Sequence, residues 1–251
     1  MNYSSHVTQP ILVVAAVAAE LDLLIASLMD RQVVEHPAWP VVTGCLAGTT
    51  VVCCAAGPGT ANAAGATAAL IERYQPSLVM MTGCGGACPG SGLAVGDLAI
   101  ASEELFADLG VMTPEGWLDM QEMGLPLAIT ANQTLYNRLP LAPQPLEQAL
   151  RCAGSLGLKL LKGNFATVAA CSGTAARGWE LAERYRVICE NMEGAATALV
   201  CLRYGVPCLE IRGISNLVED RDRSRWNIPA AVQAAQRFVI SFLEQLRTDA
   251  P

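Results

Sequence analysis

A chain of 251 residues, 52% apolar and only 16% charged, can bury a large core, and its net charge of −7 gives it no basic footprint for nucleic acid. The charge-free window 74–96 is broken by glycines and prolines, and the apolar run 11–19 is short with no Lys or Arg before it, so neither a membrane span nor a signal peptide is expected. These patterns predict a cytoplasmic protein, one domain over 1–251, whose partner is a small molecule or another copy of itself.

In chain order, apolar runs predict strands at 11–17, 51–55, 78–82, 97–102, 166–170, 187–189 and 208–214, and helical periodicity predicts helices at 60–74, 174–185, 193–204 and 228–246. Strands that are apolar throughout belong in a sheet covered on both faces. The expected fold is a three-layer α/β/α sandwich with a central mixed sheet, extended by antiparallel pairing at 40–55 with a hairpin turn at Gly48-Thr49-Thr50. The helix from 193 stops at Tyr204-Gly205-Val206-Pro207, Gly at the C-cap and Pro beyond it. The segment 106–145 has weak periodicity and five prolines, which predicts loops with room for a short helix.

Ten cysteines occur at irregular spacing, none as Cys-x-x-Cys, and Cys53, Cys54, Cys201 and Cys208 lie within predicted strands or helices. They read as small buried hydrophobes in reducing surroundings rather than as disulfides or a zinc site. The two histidines, His6 and His36, stand outside any motif. No metal and no cofactor are expected, and acid–base chemistry falls to carboxylates.

Glu20 follows the first strand and an alanine-rich turn at a predicted helix start, Glu193 opens the helix after Cys189-Glu190-Asn191-Met192, and Ser215 and Asn216 close the last strand. Loops at the carboxyl ends of parallel strands are where ligands bind in such sheets. Gly57-Pro58-Gly59 and Gly83-x-Gly85-Gly86 read as turns at strand ends, where backbone N–H groups can approach a ligand, and neither fits a phosphate loop or Gly-x-Gly-x-x-Gly. Each feature also has a purely structural reading. A first-turn glutamate complements the helix dipole, glycines make tight turns, and Ser172 or Thr174 serves as N-cap for the helix that follows. Cys84 reads as filler, since an isolated thiol carries little thiolate at neutral pH.

Taken together and in order, Ile11-x-Val13-Val14-x-Ala16-x-x-x-Glu20, Gly57-x-Gly59, Leu78-Val79-x-x-Thr82-Gly83-x-x-Gly86, Val95-Gly96-Asp97, Asn191-Met192-Glu193-Gly194-Ala195 and Ile214-Ser215-Asn216 resemble the nucleoside phosphorylase and nucleosidase superfamily over nearly the whole chain. The resemblance implies cleavage of a purine nucleoside N-glycosidic bond by a homodimer or higher homo-oligomer. It implies that Glu193 accepts hydrogen bonds from the ribose hydroxyls, that Met192 packs on the sugar, and that Asn216, beside Ser215, addresses N7 and the 6-substituent. It further implies that Glu20 activates the attacking water, that Gly83 and Cys84 line the pocket, and that Cys171 and Ser172 belong to the base's second wall. Asn191 stands where adenosine-type hydrolases of the family often have Glu, and Cys84 where they often have Ser, so their detailed ribose contacts do not carry over.

Asn216 stands where the family's adenine-releasing hydrolases carry Asp; a carboxamide suits a 6-oxopurine, which predicts a hypoxanthine-type leaving group. Up to Arg73 the basic residues are Arg31 and Arg73, neither beside a glycine turn, which favours water over phosphate as nucleophile. The segment 214–232 is similar to family hydrolases whose substrate has a carboxylated 5′-group, making Arg221, Arg223 and Arg225 candidate carboxylate ligands. Its bland reading is a solvated loop in which Asp220 and Asp222 pair the arginines. The alternatives within the family are a methylthioadenosine/adenosylhomocysteine nucleosidase and an inosine phosphorylase; outside catalysis, the alternative is a nucleoside-binding regulatory protein.

Overall fold

The structure, a computed structural model, describes residues 9–246, so His6 lies outside the described residues. The strands are β1 (Ile11–Ala15), β2 (Met29–Val34), β3 (Val41–Leu46), β4 (Thr49–Ala55), β5 (Leu78–Ala87), β6 (Leu98–Phe106), β7 (Gly110–Thr113), β8 (Gly116–Asp119), β9 (Ala128–Ile129), β10 (Thr134–Leu135), β11 (Arg138–Pro140), β12 (Leu160–Thr167), β13 (Val187–Asn191) and β14 (Cys208–Leu217). The helices are α1 (Asp22–Ser27), α2 (Thr60–Tyr74), α3 (Pro143–Ser155), α4 (Ala175–Tyr185), α5 (Gly194–Tyr204) and α6 (Ile228–Leu246).

β1 lies between β4 and β5, parallel to both, and is buried on both faces. Leu12 and Val14 join the core under α2 and α5, while Ile11, Val13 and Ala15 join the core under α3 and α6. This alternation produces the three layers of the predicted mixed-sheet sandwich. Beyond β4 the sheet continues antiparallel through β3 and β2. The β3–β4 turn sits at Ala47 and Gly48, both with positive φ as a tight hairpin requires, one residue earlier than predicted.

On its other side the sheet closes on itself. β5 pairs with β14, β14 with β6, β6 with β12, β12 with β13, and β13 returns to the end of β5. Closure depends on β5 running through Ala87, so Gly83, Gly85 and Gly86 lie inside this strand and not in a turn after it. Pairing with β14 along all three glycines, and with β13 on the other side at Gly86, keeps them in the strand. Further differences from the sequence reading are α3, which starts at Pro143 with proline in its first turn, and the segment 106–145, which forms two small hairpins and β11. β12 spans Leu160–Thr167, earlier than the predicted 166–170.

Candidate active site

The closed circuit of strands brings the predicted residues around the carboxyl half of β5. Glu20 ends a short 3-10 turn, Ala18–Glu20, and precedes α1 rather than opening it. Its Oε2 accepts from the backbone N–H of Ala16 (3.0 Å) and Val17 (3.2 Å), and its Oε1 from that of Cys84 (2.9 Å). Gly83 makes room for it: with φ +153° and an added Cβ only 2.5 Å from Glu20 Oε1, this position admits only glycine. The turn is clamped from α6 by the carboxamide of Gln236: Nε2 donates to Ala19 O and Oε1 accepts from the N–H of Leu23 and Leu24.

Glu193 stands at the entrance of α5, yet it does not cap the helix. Asn191 Oδ1 takes the N–H groups of Glu193 (2.9 Å) and Gly194 (2.7 Å), and Thr167 Oγ1 takes that of Ala195 (2.8 Å). The Glu193 carboxylate is thereby available to the pocket, where Oε1 accepts from Gly59 N–H (3.0 Å) and Oε2 meets Arg212 Nη1 (3.3 Å). Gly57-Pro58-Gly59 thus supplies a backbone donor to the site, as its place before α2 suggested.

Arg212, inside β14, was missed by the sequence reading, and it adjoins the Gly83 segment. Its donors are engaged: Nε with Glu210 (2.8 Å), Nη1 with Cys84 O (3.2 Å) and Glu193, and Nη2 with Asn191 Oδ1 (3.4 Å). Burial opposes its charge, but Glu210, Glu193 and Glu20 more than offset this and hold it protonated. Beneath it lie two fully buried carboxyls, Glu104 and Glu210, facing each other over Gly194, where a side chain would collide with both. Burial and then Glu210 raise the Glu104 carboxyl well above the usual range, so Glu104 keeps its proton. Glu104 is also bonded by Thr167 Oγ1 (2.7 Å) and Asn191 Nδ2 (2.5 Å). Burial raises Glu210 as well, while Arg212, 2.8 Å away, and then Glu104 oppose the shift.

Ser215 and Asn216 occupy the end of β14. Ser215 Oγ lies 3.2 Å from Gly85 O and 2.8 Å from Asn216 Oδ1, and Asn216 Nδ2 donates to Leu217 O (3.0 Å). Met192 is half-buried between Asn191 and Glu193. Burial, and secondarily Glu20, push the Cys84 thiol up to about 11, which suits filler and not a nucleophile. Cys171 is exposed, and Ser172 is fixed by a residue not singled out in the sequence: its N–H (2.8 Å) and its Oγ both donate to the buried carboxylate of Glu190. Burial raises the Glu190 carboxyl, against the lowering effect of these bonds. Thr174 caps α4 by accepting from Arg177 N–H (3.2 Å).

The 219–226 segment lies against this wall, with Arg221 N–H donating to Gly173 O (3.2 Å) and Asp220 accepting from Ala175 N–H (3.0 Å). The expected aspartate–arginine pairing is not what holds it. Asp222 caps Ser224, Arg225 pairs with Glu219 (2.9 Å), and Arg221 lies 4.7 Å from the centre of the Trp226 ring. Local chain turns take the short aspartates first, because Asp side chains reach nearby backbone N–H groups readily.

Comparison with known proteins agrees with this architecture. The model of the phosphorylase superfamily matches residues 10–244. A futalosine hydrolase of Acidothermus cellulolyticus is 36% identical over 224 residues, covering 88% of this chain and 85% of the relative. A 5′-methylthioadenosine/S-adenosylhomocysteine nucleosidase of Shewanella loihica is 32% identical over 215 residues, covering 81% and 84%. Among solved structures, the futalosine hydrolase of Helicobacter pylori superposes with a TM-score of 0.83 at 19% identity, covering 96% of this chain and 100% of that one. The chain belongs to the phosphorylase superfamily, as an enzyme of the nucleosidase kind.

Proposed function

We propose that this enzyme hydrolyses the N-glycosidic bond of futalosine, releasing hypoxanthine and dehypoxanthine futalosine, a step of menaquinone biosynthesis. Breaking the C1′–N9 bond leaves positive charge on the ribose and negative charge on the departing purine. In this reading Glu193, fixed by Gly59 N–H and Arg212, accepts from the ribose hydroxyls and favours the cationic sugar, with Met192 packed on the ring. Glu20 takes a proton from water as its oxygen bonds to C1′. The C1′–N9 electron pair leaves with the base, whose N7 and O6 meet the Asn216 amide beside Ser215, and the base takes its proton from solvent. Gly83 and Cys84 form the floor, and the Cys171-Ser172 loop the second wall.

The observation that carries hydrolysis over phosphorolysis is the engagement of Arg212. The cation that reaches this centre is buried and shared among Glu210, Glu193, Cys84 O and Asn191, so its donors are not free for a phosphate dianion. Asn216 favours a 6-oxopurine over the adenine of the methylthioadenosine nucleosidases. A carboxylated 5′-group would be held by Arg221 or Arg223, since Arg225 is paired with Glu219.

Chromatography of the bases released from futalosine, inosine and 5′-methylthioadenosine, each with and without phosphate, tests this directly. Hypoxanthine released from futalosine at a rate independent of phosphate is the expected result. Adenine release from methylthioadenosine in its place, or a strict phosphate requirement, would refute it.

A further inference from the structure

Glu190 is a buried carboxylate beside the base wall to which the mechanism above assigns no task; only 6% of its surface is exposed. β13 pairs with β5 so that Glu190 stands opposite Gly86, and β14 pairs with the other side of β5 so that Asn216 stands opposite the same glycine. Laterally paired residues project to the same face of a sheet. The carboxylate and the carboxamide therefore flank a position that has no side chain. An added Cβ at Gly86 would stand 3.2 Å from Asn216 Nδ2 and 3.0 Å from Val218 Cγ2, so glycine keeps open the space between the two polar groups. Both are also oriented. Ser172 N–H and Oγ hold the two oxygens of Glu190, and Ser215 Oγ donates to Asn216 Oδ1 while Leu217 O takes one of the two amide hydrogens.

We propose that Glu190 reads the purine: across Gly86, Glu190 and Asn216 form an acceptor–donor pair that selects a 6-oxopurine, Glu190 accepting its N1–H and Asn216 donating to O6 or N7. This rests on the reading of the site as a purine nucleosidase and names the residue that sets its base preference. A 6-oxopurine presents an acceptor at O6 beside a donor at N1, whereas a 6-aminopurine presents a donor at N6 beside an acceptor at N1. A carboxylate can only accept, so against the N1 lone pair of adenine it is repelled, and the lone pairs that Ser172 does not use find no donor there. Two bonds from Ser172 occupy about half of its four lone-pair sites, and the remainder serve the base.

The test compares kcat/KM for 5′-methylthioinosine and 5′-methylthioadenosine, which differ only in the base, in the wild type, Glu190→Gln and Ser172→Ala. Glu190→Gln can offer an N–H to N1 of adenine, and its 6-oxo over 6-amino ratio is expected to fall about ten- to hundredfold. Ser172→Ala keeps the carboxylate and is expected to lower both rates together, leaving the ratio in place. A Glu190→Gln enzyme that loses both activities equally, or a Ser172→Ala enzyme whose ratio shifts as far, would reduce Glu190 to a loop anchor and overturn the proposal. Inhibition of the wild type by hypoxanthine and 1-methylhypoxanthine probes the same contact without a substitution: the methylated base is expected to bind at least about tenfold more weakly, and equal inhibition would overturn the proposal. A wild type that releases adenine and no hypoxanthine would sink the 6-oxopurine reading together with Glu190's role. A hypoxanthine-selective wild type whose ratio survives Glu190→Gln would sink the role of Glu190 alone.

Discussion

Glu20 faces three backbone N–H groups, two from its own turn and one from Cys84, and these fix the orientation of the carboxylate that the proposed mechanism uses as base. Replacement by glutamine preserves the size of the side chain and removes its ability to take a proton. Glu20→Gln is therefore expected to lower kcat about 10²–10⁴-fold with a much smaller change in KM. Steady-state hydrolysis rates decide it, and a kcat within a few-fold of the wild type would remove Glu20 from the role of base. Glu20, Glu193 and Asn216 were legible in the sequence because each sits where an apolar run changes to a turn or a helix. Arg212, Glu210 and Glu104 were not: they lie inside buried strands, where nothing local reveals that three ionisable side chains from β6 and β14 meet.

At the scale of elements, the junction of β13 and α5 is the tightest point of the site. Gly194 begins α5 directly against Glu104 and Glu210, and a methyl group there would collide with carboxyl oxygens of both. Gly194→Ala should destabilise the protein by about 1–3 kcal/mol through this overpacking, although alanine is the better helix former. Urea unfolding measures it, and a neutral or stabilising result would mean that the carboxyl pair yields easily. The helices α2, α4, α5 and α6 were readable from periodicity and their stop signals, to within a residue at each end. β5 was cut short because clustered glycines signal a turn, while here the β14 ladder, joined by β13 at Gly86, keeps them in the strand. α3 escaped notice because Pro143 and Pro145 look like loop, though prolines are tolerated in a helix's first turn. β2 carries no alternation, being exposed along most of its length.

For the molecule as a whole, the buried carboxyl pair makes stability depend on pH. Glu104 has a raised pKa in the folded protein, from burial first and Glu210 second. Its contribution is complete below the ordinary glutamate range, where the unfolded chain is protonated as well. As the pH rises, the unfolded chain gives up this proton first, so the contribution declines and is gone once the pH passes the raised value. Glu104→Gln keeps a neutral donor toward Glu210 and has no proton to lose. As the pH rises above the ordinary glutamate range, Tm of the wild type is therefore expected to fall more steeply than that of the variant; parallel curves would show that Glu104 is not the proton carrier.

The clamp of Gln236 on the Glu20 turn also bears on timing. Its carboxamide bonds Ala19, Leu23 and Leu24 across a sequence separation of more than two hundred residues, and Glu193 reaches Gly59 across 134. Contacts so distant along the chain close late in folding, because their loop entropy must be overcome before they contribute. During synthesis, the segment carrying Glu20 emerges first and waits for α6 before its turn is clamped. On the proposed mechanism, catalytic competence then arrives near the end of synthesis, when the last helix docks, and a half-made chain holds Glu20 without the geometry to use it as a base.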